Sequence, residues 1–548
     1  MKSKKAVVQK KFRFDKFLEI GAPDAETDKL LKPAFIEKDA FRALLDMDNQ
    51  RSILIGRTGS GKSAILRQIE FTQERVCRIQ PEAMSLRFLS NSTMLDYFRQ
   101  LNVNLSFFYK ILWKHVFVIE LLRLHFDYSN QKKTNWFTMV KEKLLERKFN
   151  PKRAKALEYF DKWSREFWLD TEKRVKEIEN TVQQRFESEI GANITSLKAK
   201  LNTSSDNKDT TKIEIKNKAE HVISETLAND IHEMVNILNE EIFTNKQQKH
   251  FILIDDLDKE WIPTSIRYDL IAAMIEVIKE FQTLAGVKII ISLRDNLYQL
   301  IFAGASHKGG QREKFKPLYV DLTWTKLELK EFLNRRLYLA TDHHLDIKTA
   351  FDKNYKDESG FDYMIERTFY RPRDVISYVN HAIEFASNKT SFTYDILKKA
   401  EISYSKDRLM AIEDEWGENY GDIKELFKFL YGKYNGFRVR NIKEDEFASI
   451  YFNDSPNQTF KGELAELVIK YQKDHIKFSQ FLKEILYLLY SFGIIGIKKS
   501  ATEQTQFFFN DNLSLTVQDV NVDCKIYIHK AFYSVLKINT KELEQDSY

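Results

Sequence analysis

Eight residues, Gly56-Arg57-Thr58-Gly59-Ser60-Gly61-Lys62-Ser63, constrain this chain more than any other feature. They follow a short apolar run that predicts a strand, and a helical pattern begins at Ser63, the last of them. Glycines let successive backbone N–H groups point inward around a polyphosphate, and the positive end of the helix favours the same anion. We predict that these eight residues and Ala64 contact ATP. Lys62 is expected to reach the β- and γ-phosphates, and the Ser63 hydroxyl is expected to bind Mg²⁺.

An acidic pair follows a second apolar run. Phe251–Ile254 is typical of a strand buried on both faces of a parallel sheet, and Asp255 and Asp256 come directly after it. Parallel sheets bind ligands at the carboxyl ends of their strands. We therefore expect Asp255 to hold Mg²⁺ through water. Asp256 is expected to polarise the water that attacks the nucleotide.

Four arginines are candidate partners of the phosphates. Arg294 follows the predicted strand Val287–Ser292, and Arg312 lies in a loop where it could act on the nucleotide of a neighbouring subunit. Arg371 and Arg373, at the start of a predicted helix, could bring a cation to the nucleotide from a lid. The alternative for each is an ordinary surface arginine.

The composition excludes several classes of protein. Two cysteines cannot form a disulfide framework or a four-thiolate zinc site, which favours a cytoplasmic protein. The apolar segment 107–126 contains too many charged residues to lie in a membrane. A net charge of +6 permits a nucleic-acid partner without arguing for one.

The residues between Lys62 and Asp255 are far more than one helix–strand step needs, so segment 93–248 is predicted to be a helical insertion. Apolar spacing over Val175–Leu201 and Ile213–Phe243 predicts a helical hairpin joined by a polar turn at Ser204–Thr211. This hairpin is either a coiled-coil arm or part of a packed helical subdomain. A further helical pattern is predicted over Phe14–Asp48.

The C-terminal pattern suits a winged helix: the helical segment Phe481–Tyr490 precedes three β-like runs at Gly493–Lys498, Gln506–Phe509 and Cys524–Ile528. Such a domain often reads DNA. Acidic residues lie among its basic residues, and contact with protein is an equally open reading. The basic residues are Lys433, Arg438, Arg440, Lys498 and Lys499.

Several motifs resemble those of known ATPases. Ile252–Asp258 is similar to the hhhDDhD motif of STAND-class P-loop ATPases, and Arg294 falls where that class places a strand-end arginine. Further motifs resemble a narrower family of bacterial P-loop ATPases near the KAP and Orc/Cdc6-like groups. These motifs are Asp24–Asp28, Asp255–Trp261, Asp321–Trp324, Tyr370–Asp374 and Phe492–Gly496.

The resemblance implies a parallel α/β P-loop core, a helical lid and a C-terminal winged-helix-like α+β domain. It also implies antiphage defence for some members, although this chain lacks the repeat array and effector domain of large STAND sensors. The predicted segments are a basic arm (1–13), a first core part (14–92), the helical insertion (93–248), a second core part (249–324), the lid (325–415) and the C-terminal domain (416–548).

Three functions remain open from the sequence. The first is an ATPase whose nucleotide state controls homo-oligomer formation or a protein partner or effector encoded nearby. The second is a DNA-binding ATPase that acts through the C-terminal domain. The third is a nucleotide-bound scaffold that does not hydrolyse ATP.

Overall fold

The computed structural model describes residues 12–540 except 85–88, 90, 127–149, 164–166, 204–207, 260, 296, 298–300, 302–310, 352–358, 453–455 and 510–514. The chain divides into two compact units. The core unit comprises Glu37–Leu322, and the terminal unit comprises the residues up to Ile36 together with those from Thr323 onward. Most of the predicted basic arm lies outside the described residues.

A five-stranded parallel sheet forms the centre of the core unit, in the order β2-β3-β4-β1-β5. Strands β1, β3 and β4 consist almost entirely of buried apolar residues, which is what a sheet covered on both faces requires. The prediction of a parallel α/β core is confirmed. The strands are β1 (Ile53–Ile55), β2 (Val76–Ile79), β3 (His250–Ile254), β4 (Val287–Leu293) and β5 (Tyr319–Asp321).

The helices of the core unit pack around this sheet and against one another. Trp113 Nε1 donates to the carbonyl of Leu270 at 2.8 Å, which joins the two long helices Ser106–His125 and Thr264–Phe281. The helices are Asp39–Leu45, Lys62–Thr72, Thr93–Gln100, Ser106–His125, Pro151–Trp163, Phe167–Ile190, Ile194–Thr203, Lys208–Ile237, Thr264–Phe281 and Gln311–Phe315, with a π-helical turn at Leu238–Ile242.

The described helices of segment 93–248 pack into the core of the sheet, which favours the packed helical subdomain over a coiled-coil arm. Val182 and Phe186 are fully buried and belong to the same hydrophobic core as the sheet. The first predicted helix is interrupted at Gly191, whose φ of +71° ends Phe167–Ile190. Residues 204–207 of the predicted polar turn lie outside the described residues, and its second half is wrong because the next helix already begins at Lys208.

The terminal unit is mainly helical and contains a three-stranded antiparallel sheet in the order β6-β8-β7. Its strands are β6 (Phe437–Arg438), β7 (Ile495–Lys498) and β8 (Lys525–Ile528). The predicted run 506–509 contributes only a single bridge, between Gln506 and Ile497. The helices are Lys326–Ala340, Ile347–Ala350, Gly360–Ile365, Pro372–Phe385, Tyr394–Tyr420, Lys424–Phe427, Ala448–Tyr451, Pro456–Thr459, Gly462–Gln472 and Phe478–Ser491. One helix, Tyr394–Tyr420, crosses the predicted boundary at 415/416.

Two expectations for residues 14–36 are wrong. These residues are irregular rather than helical, and they belong to the terminal unit rather than to the core. Phe14 stacks on Phe392, with ring centroids 4.6 Å apart. Asp28 forms a buried ion pair with Arg336, whose Nη2 lies 2.6 Å from Asp28 Oδ2. Contacts distant in sequence therefore override the helical spacing.

No helix in the described part of the chain is long and apolar enough to cross a membrane.

Candidate functional site

The loop Gly56–Gly61 has a backbone that requires glycine at defined positions. Gly59 and Gly61 have φ of +79° and +100°, in the left-handed region that side chains disfavour. At Gly56 a Cβ atom would lie 2.7 Å from Ser60 Oγ and 3.3 Å from Leu322 Cβ. The loop runs from the buried strand β1 into the helix Lys62–Thr72, so the helix N-terminus faces it. This is the arrangement that a polyphosphate site needs.

Lys62 lies over this loop. Its ammonium donates to the carbonyl oxygens of Gly56 at 2.7 Å and Arg57 at 3.1 Å. Burial lowers the pKa of Lys62 to about 8, and the acidic residues that oppose this effect are led by Asp295. A buried cation with a lowered pKa gains most from an anion brought close to it. The predicted phosphate contact therefore fits its surroundings.

The sheet register brings the acidic strand end beside the loop. Ser292 on β4 pairs with Leu54 on β1, and Ile291 pairs with Ile254 on β3. Ser292 therefore lies between the loop strand and Asp255. Its hydroxyl donates to Asp255 Oδ1.

Asp255 is buried and has a second partner. Its side chain is 7% exposed, and its Oδ2 accepts a hydrogen bond from Arg78 Nη2 at 3.1 Å. Arg78 lies on β2, the strand next to β3. Burying a carboxylate is costly unless it is paired and hydrogen-bonded, and Arg78 and Ser292 meet both needs. Asp255 is held at the end of β3 as the sequence predicted.

Asp256 lies in a different environment from its neighbour. It has φ of +58°, and its side chain is 41% exposed with Lys259 Nζ at 3.1 Å. Burial raises the pKa of Asp256, and the adjacent Asp255 raises it further. A left-handed aspartate is a strained conformation, and such strain concentrates at functional sites. A raised pKa makes a carboxylate a stronger base.

The loop after Asp256 is fixed by two arginines. Arg294 Nη2 lies 2.6 Å from Asp258 Oδ2. Arg267, which is 4% exposed, donates to the carbonyls of Asp258 at 3.2 Å and Lys259 at 2.9 Å. The structure thus places Arg294 at the sheet edge beside the acidic loop, and Arg267 supports the backbone of that loop.

Sequence reasoning missed three of these residues. Ser292 ends a strand that the sequence predicts, and Arg78 lies near the end of β2. The register that pairs these strands with β3 was the signal that was needed. Arg267 had no sequence signal, because its contacts depend on how the helix Thr264–Phe281 meets the loop.

The structure gives the other predicted arginines as follows. Arg312 belongs to the short helix Gln311–Phe315 of the core unit, and the surroundings of its side chain lie outside the described residues. Arg371 and Arg373 belong to the terminal unit. Arg371 is 4% exposed and donates to both carboxylate oxygens of Asp374, at 2.8 and 3.0 Å. Arg373 Nε donates to the carbonyl of Pro23 at 3.2 Å.

Arg371 thus has a structural role that the sequence did not predict. Oδ1 of the same Asp374 carboxylate also lies 3.5 Å from Nη1 of Arg408, a second buried arginine. The guanidinium group of Arg371 is committed to this buried network. Its predicted contact with the nucleotide remains a prediction that would require the Asp374 pair to open.

The residues around the loop suit Mg²⁺. Ser63, in the first turn of its helix, offers a hydroxyl, and Asp255 offers a carboxylate. Mg²⁺ prefers such oxygen ligands, and it usually keeps several waters and binds phosphate oxygens as well. The described residues contain no cluster of three or more His, Cys, Asp or Glu side chains that would form a complete metal site of its own. A site that these oxygens share with a nucleotide fits this preference of Mg²⁺.

Comparisons with known proteins give three kinds of similarity. The profile of the FunZ-associated C-terminal helical domain matches residues 327–413. The "Putative transposon gamma-delta 80.3 kDa protein" of Escherichia coli (strain K12) is 24% identical over 547 residues, which cover 95% of this chain and 67% of that protein. The FunZ-associated match falls within the terminal unit.

Two solved structures are similar at 11% identity, and each comparison covers 92% of this chain and 96% of the other. They are a Walker-type ATPase of Pyrococcus abyssi, with a TM-score of 0.38, and Cdc6p from Pyrobaculum aerophilum, with a TM-score of 0.28. At these scores the likeness carries no argument about fold or function, so both rest on the geometry described above.

Proposed function

We propose that this chain is a Mg²⁺-dependent ATPase whose nucleotide state controls its self-assembly or its engagement of a protein partner. One observation carries the proposal. The glycine loop, Lys62 and the pair Asp255–Asp256 lie along the same edge of a parallel sheet, with Ser292 between the two strand ends. Phosphoryl transfer needs positioning and charge stabilisation, and these are the groups that supply both.

Each residue has a distinct role in the proposed reaction. The loop N–H groups and Lys62 orient the triphosphate, and Ser63 and Asp255 would hold Mg²⁺, the latter through water. Bound Mg²⁺ would neutralise charge that develops on the phosphate oxygens. Asp256 accepts a proton from the attacking water, which its half-exposed position and raised pKa favour. Arg294, at the end of β4, is the nearby cation assigned to the γ-phosphate.

The arrangement around Asp258 supports a switch. Arg294 is now paired with Asp258, and Arg78 is paired with Asp255. Both arginines are held by carboxylates at the same sheet edge where the phosphates and Mg²⁺ would bind. Exchange of these partners on nucleotide binding would move the loop that Arg267 holds. A nucleotide that contacts these arginines in one arrangement of the loop and not in the other would shift the chain toward the first arrangement.

The assembly part of the proposal is tested by mass photometry with and without ATP. Nucleotide-dependent growth of the particle mass supports it, and one mass under all conditions contradicts it. If Arg312 acts on the nucleotide of a neighbouring subunit, activity per chain should rise with protein concentration. Arg312→Ala should then flatten that rise without weakening ATP binding, because an arginine acting in trans contributes about 10³–10⁵ in rate.

The first test of the ATPase itself is calorimetry followed by phosphate release. Mg²⁺-dependent ATP binding with turnover supports the proposal. Tight binding without turnover would favour the nucleotide-bound scaffold, the third function left open by the sequence.

Two biological settings are proposed on separate grounds. Antiphage defence rests on the resemblance of the sequence motifs, whereas the name of the Escherichia coli relative offers a transposon setting. The genes beside the coding sequence discriminate between them: a neighbouring effector gene favours defence, and neighbouring recombinase genes favour the transposon.

A further inference from the structure

Three basic side chains form one row across the small sheet of the terminal unit. Lys525 on β8 is directly opposite Arg438 on β6 and directly opposite Lys498 on β7. Directly paired residues of antiparallel strands point to the same face. We call Arg438, Lys525 and Lys498 the basic row. Because neighbouring strands lie about 4.8 Å apart, the row spans roughly 10 Å.

The face that carries the row is the accessible one. Along β8, Lys525 and Tyr527 are half-buried, whereas Ile526 and Ile528 are buried. The next row of the same face contains Tyr527 opposite Gly496. Lys525 Nζ lies 5.2 Å from the centroid of the Tyr527 ring. The face therefore combines a line of cations with an aromatic ring.

Within the part of the chain that the structure describes, the row has no counter-charges of the kind that surface lysines and arginines commonly have. No carboxylate of the described residues forms an ion pair with Arg438, Lys525 or Lys498. The nearby acidic side chains Glu503 and Asp519 pair instead with Lys499, at 3.8 and 3.6 Å. Like charges directly opposite each other on neighbouring strands destabilise a sheet. The fold thus tolerates a repulsion that a bound polyanion would relieve.

We propose that this face binds the phosphate backbone of duplex DNA through the basic row. The inference is independent of the proposed ATPase, because the row belongs to the terminal unit and the glycine loop to the core unit. Regularly spaced phosphates match a line of fixed cations. An anionic membrane fits less well: besides the row, the face presents Tyr527 and Phe507, both half-buried, and neither is exposed enough to insert into lipid.

Contacts of this kind orient DNA without reading its sequence. The expected binding is therefore independent of base sequence and steeply dependent on salt. Each phosphate contact contributes about 0.9 to the slope of log affinity against log salt concentration. Loss of three contacts should make the slope shallower by roughly 2–3. It should lower the affinity at 0.1 M salt by roughly 10²-fold.

The experiment measures fluorescence anisotropy of a labelled 30-base-pair duplex with the full chain, without nucleotide, between 50 and 300 mM salt. The test variant is Arg438→Gln/Lys498→Gln/Lys525→Gln. The matched control is Lys424→Gln/Lys428→Gln/Lys470→Gln, which removes the same charge from lysines that pair with Glu413, Glu425 and Glu466 in the same unit. The test variant should lose affinity and slope, while the control keeps most of both.

A second variant protects the test against loss of folding. Lys525→Met keeps the aliphatic stem that lies against Gly436 and Tyr527, and it removes the central charge of the row. It should lower the slope by about 1 and leave thermal stability equal or higher, because it removes two repulsions. Equal binding by parent and row variants overturns the proposal, as does absence of binding at 50 mM salt. Row-dependent binding to phosphatidylserine vesicles but not to DNA overturns it in favour of a membrane.

Discussion

Arg78 Nη2 lies 3.1 Å from Asp255 Oδ2, so the carboxylate predicted to hold Mg²⁺ is neutralised by an arginine from the neighbouring strand. Arg78 Nη1 is also 3.9 Å from Glu70, on the helix that follows the glycine loop. One guanidinium thus connects the acidic strand end to the helix that begins at Lys62. A cation bound at Asp255 would share or replace this partner.

The first prediction follows from that exchange. Among the described residues, Arg78→Met leaves the buried Asp255 with the Ser292 hydroxyl as its partner. Removing one partner of a buried pair costs about 3–5 kcal/mol. The variant should lose somewhat less unfolding free energy than this, because the Arg78 side chain is 14% exposed and solvent weakens the pair. Mg²⁺ with ATP should then raise the melting temperature of the variant more than that of the parent. Arg67→Met, at a partly exposed pair with Glu70, is the control and should behave like the parent. An equal shift in all three proteins would contradict the exchange.

The second prediction concerns Lys62. Lys62→Ala removes the ammonium group that lies over the glycine loop, and ATP binding measured by calorimetry should fall below detection. Lys246→Ala, at a lysine that is 73% exposed, should bind as the parent does. Unchanged affinity in the Lys62 variant would remove the assignment of the loop as a nucleotide site.

The third prediction separates the two aspartates by role. Asp256→Asn should retain ATP and slow phosphate release by roughly 10²-fold or more, because the amide cannot accept a proton from water. Asp255→Ala should instead weaken binding in the presence of Mg²⁺ and have less effect in EDTA. If the Asp256 variant hydrolyses ATP at the parent rate, another residue is the base.

The fourth prediction distinguishes the two roles of Arg371. Arg371 belongs to the buried network with Asp374 and Arg408. Arg371→Met should therefore lower the free energy of unfolding by about 3–5 kcal/mol. ATP affinity should stay within twofold of the parent. Arg373→Met, in the same turn, should change stability little. Loss of ATP affinity with unchanged stability would restore the lid role predicted from the sequence.

The fifth prediction is a pH dependence of stability. The rings of His125 and His250 lie 5.7 Å apart, and Arg75 Nη1 is 3.2 Å from His250 Nε2. Burial, reinforced by these neighbouring cations, lowers the pKa of both histidines to about 4. Unfolding restores a pKa near 6.5, so the unfolded chain binds more protons between pH 6.5 and 4. Stability should therefore be fully present above pH 6.5 and decline as the pH falls toward 4.

Urea unfolding at pH 7 and pH 5 measures this decline. Each unit of pKa difference between the folded and unfolded chain corresponds to about 1.4 kcal/mol of stability. The loss should be smaller than this, because solvent reaches part of the histidine pair and stabilises its charged form. His125→Phe should make the decline shallower, and His232→Asn, at an exposed histidine, should leave it unchanged. A decline of the same steepness in the His125 variant would show that other groups cause it.

Local sequence determined the parts of the site that depend on local backbone. The glycines of the loop are fixed by conformation, since Gly59 and Gly61 have positive φ and Gly56 is too crowded for a Cβ. The strands β1, β3 and β4 could be predicted because an unbroken apolar run is needed for a strand buried on both faces. Asp255 could be placed because it directly follows such a run.

Tertiary structure decided which residues meet at that edge. Ser292 and Arg78 reach Asp255 only because β3 pairs with both β4 and β2, a pairing that no single segment encodes. The place of Arg371 at a helix start predicts a role in a lid, whereas the folded chain buries it and pairs it with Asp374. Residues 14–36 carried a helical spacing, but packing on the terminal unit replaced it with irregular chain. Hydrophobic periodicity indicates which side of a segment is buried. It does not indicate which other segment of the chain covers that side.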